Sequence, residues 1–385
     1  MKCIRVIAPG EPLVFLEDEP IPKAPDGGAV VKISYSGVCH SDIHFWEGRR
    51  DMGGGKIVTF LGRPGFNYPC IPGHEIAGVL SSLGEGVTDI SRNGLKLGDR
   101  VVVFPWIFCN ACGFCKADYN VLCDGPPTQQ VFYGTTYNGG LAQYVSVPNI
   151  RYVVPLSASI PLPVACLLPC SGLTAFHVIE EALEFVKTVT KVKGCCSVMA
   201  IGVGGVGQWG VRLARALFPP ETQIICADVK QEALDVVTSN VRDTVPLLMD
   251  RDQPSDSIAR QVKTVSRSGR GVDVILDFVG ATKTFEIGKL SMQMCGQYIV
   301  TGLLGGEVRM PLPDVVLTGV TIKGILMGRL TQLKTLLELV VKMPSIYDNL
   351  TYSVHPLEDG VQIMEKLAKG QVVGRAILKC NDDGE

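Results

Sequence analysis

The chain has 385 residues, of which 46% are hydrophobic and 19% charged, and its formal net charge is −2. That length exceeds what one core usually supports, so two domains are expected. A near-neutral chain without basic clusters argues against nucleic acid or an anionic membrane as partner, and no apolar run reaches the roughly 18 residues that span a bilayer. The opening MKCIRVIAPGEPLVF lacks the continuous apolar stretch of a signal peptide, which makes a cytoplasmic enzyme the expectation. The 14 cysteines are then expected as reduced thiols or metal ligands rather than disulfides.

Up to Pro169 the pattern is one of short β-like runs broken by Gly and Pro: Ala29–Tyr35, Glu75–Leu80 and Asp99–Phe104. Such spacing predicts an all-β, barrel-like unit. Gly37–His44 follows the first run directly and packs a thiol, two imidazoles, a hydroxyl and a carboxylate into eight residues. Gly48–Tyr68 reads as a long, partly basic, Gly-rich loop of the kind that often serves as a lid or binding edge. From Ser171 onward apolar runs alternate with helical patterns. Strands are predicted at Ser197–Ile201, Gln223–Ala227, Val272–Phe278 and Gln297–Gly302, with helices at Val206–Leu217 and Gln231–Val237 between them. That alternation implies βαβ units and a parallel sheet covered on both faces. A helix at Leu333–Val341 and a closing strand at Arg375–Lys379 are expected to return to the first domain.

Three groups of residues carry chemistry. Gly202-Val203-Gly204-Gly205-Val206-Gly207 is G-x-G-x-x-G between a predicted strand and a predicted helix, the setting in which glycines admit a pyrophosphate to the backbone and a helix N-terminus. Asp228 ends the next strand, about 20 residues on, where a carboxylate accepts from ribose hydroxyls and repels a 2′-phosphate. NAD is therefore favoured over NADP, with Lys230 nearby as the one opposing feature. Cys109, Cys112, Cys115 and Cys123 follow C-x2-C-x2-C-x7-C, a closed tetrathiolate set for a structural zinc. Cys39, His74 and Cys170 each sit at the end of an apolar run. Singly they read as structural residues, but beside a dinucleotide fingerprint they fit a catalytic zinc with a fourth position left open.

The motifs GVCHSDIH at Gly37, PGHEIAGVL at Pro72, the four-cysteine run, PCSGLTAF at Pro169, AIGVGGVG at Ala200 and GRAILK at Gly374 resemble, in the same order, those of the zinc-containing alcohol dehydrogenases of the medium-chain dehydrogenase/reductase superfamily. The resemblance covers essentially the whole chain. It implies an α/β architecture: a GroES-like β-barrel catalytic domain over 1–171 and 327–385, and a Rossmann doubly wound parallel-sheet domain over 172–326. It further implies two zinc ions per chain, with Cys39, His74 and Cys170 on the catalytic one and Glu75 as an occasional ligand. Asp42 would steady the imidazole of His74. His40 and Arg375 would face the cofactor pyrophosphate, Thr174 the nicotinamide side, and Ser41 and His44 would relay the alcohol proton by way of the nicotinamide ribose.

Trp46 and Trp106 fall where the family lines its substrate cleft. The long loop resembles a subgroup acting on ω-hydroxy acids such as 6-hydroxyhexanoate, in which Arg49, Arg50, Lys56 or Arg63 would meet a carboxylate. An ω-hydroxy acid or polyol dehydrogenase is thus an alternative to a general alcohol dehydrogenase, and a non-catalytic scaffold or lens-type protein of the same fold is a rival of another class. Family members form homodimers or homotetramers, and an apolar strand at Thr318–Leu326 is the expected sheet edge for pairing.

Overall fold

The computed structural model describes residues 1–87, 95–126 and 131–381. Its first sheet has seven strands and is built around β1 (Ala29–Val38), whose side chains are buried at every position but Lys32. A strand buried on both faces needs small or apolar side chains at nearly every position, and AVVKISYSGV supplies them at all but Lys32. β1 ends in a helix, α1 (His40–Glu47), stopped by Gly48 in the left-handed region. A small antiparallel hairpin follows, β2 (Arg49–Asp51) and β3 (Ile57–Thr59), turned by Gly53, Gly54 and Gly55 at positive φ. The stretch read as a plain loop over Gly48–Tyr68 therefore carries a hairpin of its own. Its three-residue strands, with alternating exposure, are too short to register as a strand pattern.

The remaining strands of this sheet are β4 (Glu75–Leu83), β5 (Arg100–Val103), β6 (Tyr144–Val147) and β7 (Val153–Pro155), joined by two strands from the chain's end. A long helix, α2 (Leu173–Lys193), leads from here into the second sheet.

That sheet has six strands, all parallel: β8 (Ser197–Ile201), β9 (Gln223–Asp228), β10 (Thr244–Leu248), β11 (Val272–Asp277), β12 (Met292–Val300) and β13 (Thr321–Gly324). Their spatial order is β10-β9-β8-β11-β12-β13, so the direction of winding reverses between β8 and β11. Dinucleotides bind outside the carboxyl ends of strands at such a reversal. The helix after β8, α3, runs from Gly207 to Leu217, and α4 from Gln231 to Asn240. The segment expected as a strand over Thr318–Leu326 divides differently. Helix α5 (Leu312–Thr318) is closed by Gly319 in the left-handed region, and only Thr321–Gly324 pairs, as the sheet edge. β12 likewise starts five residues before the expected Gln297, because a bulge lets Met292 pair with Val272 ahead of the regular register.

After helix α6 (Leu330–Lys342) the chain returns to the first sheet as β14 (Tyr352–Pro356) and β15 (Arg375–Lys379). β15 pairs with β1 on one side and β4 pairs with β1 on the other, in registers that set Gly37 opposite Glu75 and Val38 opposite Ala376. The end of β1 and the starts of β4 and β15 thus lie side by side. This register brings together residues hundreds of positions apart.

Candidate active site and metal centres

Cys39 follows β1, His74 immediately precedes β4 and Glu75 opens it, and Cys170 sits in a π-helical turn, Leu168–Gly172, just before α2. Wide turns of this kind are frequent at functional sites because they push one side chain out of the helical path. One ligand atom from each of these four residues lies within 4.8 Å of all the others. His74 Nε2 is 3.3 Å from Cys170 Sγ, close to the separation of about 3.5 Å expected when one nitrogen and one sulfur share a tetrahedral zinc.

Asp42 fixes the ring that presents this nitrogen. Fully buried, it accepts His74 Nδ1–H at 2.8 Å through Oδ1, the Gly73 N–H at 3.2 Å through the same oxygen, and the Cys39 N–H at 3.0 Å through Oδ2. A carboxylate on Nδ1 leaves Nε2 with its lone pair facing the thiols. Burial works against protonation of His74, but the charge and hydrogen bond of Asp42 outweigh it and raise its pKa well above the ordinary value. The hydrogen bond from Cys170 holds the Cys39 thiol well below its usual range, and the same bond pushes Cys170 up. That direction favours the thiolate, the donor form that a metal takes.

Behind the ligands, Arg375 donates a short hydrogen bond to Glu75 Oε2, while Glu75 Oε1 is buried without a partner. Burial pushes Glu75 up to about 7 against the opposing charge of Arg375. Arg375 also reaches the glycine loop, since a Cβ on Gly205 would stand 2.9 Å from its Cδ and 3.3 Å from one terminal nitrogen. One guanidinium therefore spans the thiol pocket and the glycine loop. Ser41 and His44 are half-buried on α1, three residues apart and so on one helix face. His40, the first residue of α1, is exposed. Thr174 is half-buried in the first turn of α2.

At the other sheet, Gly202 has φ +80, and a Cβ there would run into Val279 at the end of β11. Gly204 faces open space, Gly205 packs against Arg375, and Val206 leads into α3, which begins at Gly207. Asp228 Oδ2 accepts the Val203 N–H at 2.9 Å, so the acidic residue at the end of β9 also holds the glycine loop in shape. The ammonium of Lys230 is spent on the Gly370 carbonyl at 2.7 Å.

The four-cysteine run forms the second centre. Cys109 and Cys115 Sγ are 3.9 Å apart, against about 3.8 Å for two sulfurs on one zinc. Backbone N–H groups of Ala111 and Cys112 point at Cys109 Sγ and lower its pKa to about 6, while burial raises Cys115 and Cys123. Gly125 allows the close fit, because a Cβ there would fall 2.7 Å from that of Cys109. Both clusters fit zinc by donor type and by spacing.

The two tryptophans differ in placement. Trp106 packs edge-on against Phe132 at 5.2 Å, and Phe132 lies 4.7 Å from the His74 ring, so this indole stands two rings from the ligand cluster. Trp46 turns its indole N–H to the Glu11 carbonyl at 2.6 Å, which ties the end of α1 to the amino-terminal segment. Sequence reasoning missed a cluster of rings that continues from Phe132. Phe45 contacts Phe132 at 5.8 Å and both Phe60 and Phe66 at 5.9 Å, and Phe60 stacks on Phe66 at 4.5 Å. Only Phe60 and Phe66 lie in the long loop, and the four phenylalanines share no spacing that announces the cluster.

Comparisons with known proteins agree with this geometry. Residues 25–158 match the family described as the alcohol dehydrogenase GroES-like domain, and residues 205–342 match the zinc-binding dehydrogenase family. The chain is 32% identical over 384 residues to the NAD-dependent alcohol dehydrogenase of Sulfolobus acidocaldarius, covering 98% of this chain and 99% of that one. It is 30% identical over 380 residues to the corresponding protein of Sulfurisphaera tokodaii, with coverage of 98% and 99%. Among solved structures, the alcohol dehydrogenase of Aeropyrum pernix superposes with a TM-score of 0.81 at 28% identity, over 98% of this chain and 100% of that one. No helix among the described residues is long and apolar enough to cross a membrane. With both families in sequence, ligand sets at both predicted places and relatives spanning the full length, the chain belongs to the zinc-containing alcohol dehydrogenases of the medium-chain dehydrogenase/reductase superfamily.

Proposed function

We propose that this zinc-dependent, NAD-linked alcohol dehydrogenase acts on extended or ring-bearing apolar alcohols, at a cleft between its seven-stranded and parallel sheets. The observation that carries this preference is the run of rings Trp106, Phe132, Phe45, Phe60 and Phe66, which ends on the imidazole of His74. Bound zinc supplies Lewis acidity to the alcohol oxygen, and bound NAD takes up the hydride.

The chain's own residues do the rest. Cys39, His74 and Cys170 hold the metal, and Asp42 keeps the His74 ring in one tautomer. Arg375, held in place by its hydrogen bond to Glu75, faces the loop at Gly205 and supports the pyrophosphate, with His40 as a second contact. The Ser41 hydroxyl takes the substrate proton and His44, on the same helix face, carries it outward. Burial, and after it the charge of Arg50, lowers the pKa of His44, so its imidazole is neutral and able to accept that proton at neutral pH. Each oxidation thus releases one proton to solvent and one hydride to the coenzyme. The carboxylate of Asp228, with the nearby Lys230 engaged elsewhere, supports NAD in place of NADP.

Two zinc ions per chain, domain limits near 171 and 327, and a cytoplasmic location complete the reading. The exposed edge strand β13, beside Met294, Leu312, Val316 and Leu317, each at least 70% exposed, supports pairing of two copies into a homodimer or, doubled, a homotetramer. A second substrate reading, an ω-hydroxy acid, is favoured by Arg50. Of the four cations in the segment, Arg49, Lys56 and Arg63 are exposed, whereas Arg50 is half-buried, stands 5.6 Å over the Phe60 ring and keeps a buried Nε without a partner. A polyol suits an apolar ring wall poorly, and a purely scaffolding role is at odds with full-length relatives that are dehydrogenases.

A substrate panel with NAD tests the main reading. Cyclohexylmethanol or cinnamyl alcohol is expected to exceed ethanol in kcat/KM by about tenfold or more, from the apolar area buried. Ethanol preferred over every longer or ring alcohol would remove it.

A further inference from the structure

The carboxyl ends of β8 and β11 flank the winding reversal, and β11 ends in a carboxylate that the alcohol chemistry does not use. Asp277 is 1% exposed. Its Oδ1 accepts the N–H groups of Val279 at 2.8 Å and Gly280 at 3.0 Å; its Oδ2 accepts the hydroxyls of Tyr298 at 2.6 Å and Thr284 at 2.8 Å. Its backbone carbonyl accepts from Thr301 at 2.9 Å and Gly302 at 3.2 Å. Among the described residues no ion pair involves it, so its charge is held by neutral donors alone.

The four donors to its carboxylate come from the turn after β11 (Val279 and Gly280), from the helix that follows it (Thr284) and from β12 (Tyr298). The Val279 and Gly280 amides fix the turn after β11, placing the Val279 side chain where a Cβ on Gly202 would collide with it. The turn after β12 is tied on from there, by Leu304 N–H to the Val279 carbonyl at 3.0 Å and Gly305 N–H to the Gly280 carbonyl at 3.1 Å. Tyr298, on β12, is itself 1% exposed and is anchored by the same carboxylate. One side chain thus fixes the turn that packs against the first glycine of the fingerprint, and through that turn's carbonyls the neighbouring turn is joined to it.

We propose that Asp277 is a positioning residue for the coenzyme: through Val279 and Gly280 it holds the floor on which the dinucleotide rests, and Tyr298 and Thr284 hold Asp277. This rests on the reading of the Gly202–Gly207 face as the coenzyme site. Asparagine at 277 keeps the size but offers only one accepting oxygen, so the bonds to the turn amides and those from the two hydroxyls cannot all be kept.

The test is NADH affinity by fluorescence titration of the zinc-loaded protein, with kcat, alcohol KM at saturating NAD, zinc content and Tm measured alongside. Asp277→Asn is expected to weaken NADH binding about tenfold, and Tyr298→Phe, which removes one of the four bonds, about threefold. In both, kcat and alcohol KM at saturating NAD are expected within twofold of wild type (~0.4 kcal/mol). A purely structural role would lower Tm and leave NADH affinity as it was, and that result overturns the proposal. If Asp277→Asn does not fold, Tyr298→Phe decides: unchanged NADH affinity there overturns it equally. Wild type that fails to bind NADH overturns the coenzyme reading and this inference together, whereas wild-type binding with both variants equal to it overturns this inference alone.

Discussion

The two thiol centres use the same donor chemistry and are built in opposite ways. Cys109, Cys112, Cys115 and Cys123 come from one short stretch, and three of their sulfurs accept backbone N–H groups of that stretch. The only regular elements between them are a four-residue helix and a three-residue 3-10 turn, so a metal bound there would take the place of a core. Cys39, His74 and Cys170 arrive from three distant segments and are placed by the register of β1 against β4 and by the turn before α2. There the fold makes the site, and Asp42 rather than the backbone tunes it. A site that the fold has already paid for can leave a metal position open for substrate, whereas a site that stabilises the fold cannot.

The largest expected effects follow from that contrast and run in opposite directions. His74→Ala should take turnover to background and remove one zinc of two, while Tm stays within a few degrees and NADH still binds, because the sheets do not depend on the ligand. Cys112→Ser should remove the other zinc, lower stability by about 4 kcal/mol or more, and leave kcat per folded molecule near wild type. Metal analysis by mass spectrometry, with Tm and active-site titration, reads both. Equal losses of activity and stability in the two variants would mean that the centres are not divided in this way.

A smaller effect sharpens the tuning half of the comparison. Asp42→Asn keeps the shape of the side chain and its contacts with the Cys39 and Gly73 amides in part, but it loses the charge that fixes the His74 tautomer. Loss of such a partner typically costs 10–100-fold in metal affinity or activity. About that loss is expected in kcat/KM, with zinc retention in a chelator competition falling in step. A variant with wild-type metal affinity and rate would show that the register alone, without Asp42, suffices.

Much of this was legible in the sequence because it rests on local rules. Ser197–Ile201 and Arg375–Lys379 form where apolar runs place them, and the glycines at 202, 204 and 207 stand where the chain turns from β8 into α3. The convergence of Cys39, His74 and Cys170 was legible only through the ordered motifs of a known family, since no spacing rule connects positions 39, 74 and 170. Asp277 and the phenylalanine wall were not legible at all. Asp277 closes a strand as Asp228 does, but no glycine fingerprint precedes it, and its four donors come from a turn, a helix and the next strand. Phe45, Phe60, Phe66 and Phe132 share no periodicity, because the hairpin and the return past Trp106 fold them onto one another. Of the two tryptophans expected to line the substrate cleft, Trp106 stands near the ligands, while Trp46 secures a helix end.

The smallest expected effect concerns Arg50, which separates the general from the carboxylate reading. Burial, and next to it the charge of Arg50, lowers the pKa of His44, and a protonated His44 cannot accept the relayed proton. Oxidation is therefore lost as pH falls through that pKa. Arg50→Gln removes the cation, so the His44 pKa rises and the acid limb of the kcat profile for alcohol oxidation should move to higher pH, with the plateau rate kept. The same variant tests the second role of the guanidinium. If Arg50 receives a carboxylate, kcat/KM for 6-hydroxyhexanoate should fall relative to that for 1-hexanol by about tenfold, the value of one charge-assisted hydrogen bond. If the acid limb moves and the substrate ratio does not, Arg50 serves the relay alone, and the substrate is chosen by the rings it stands on.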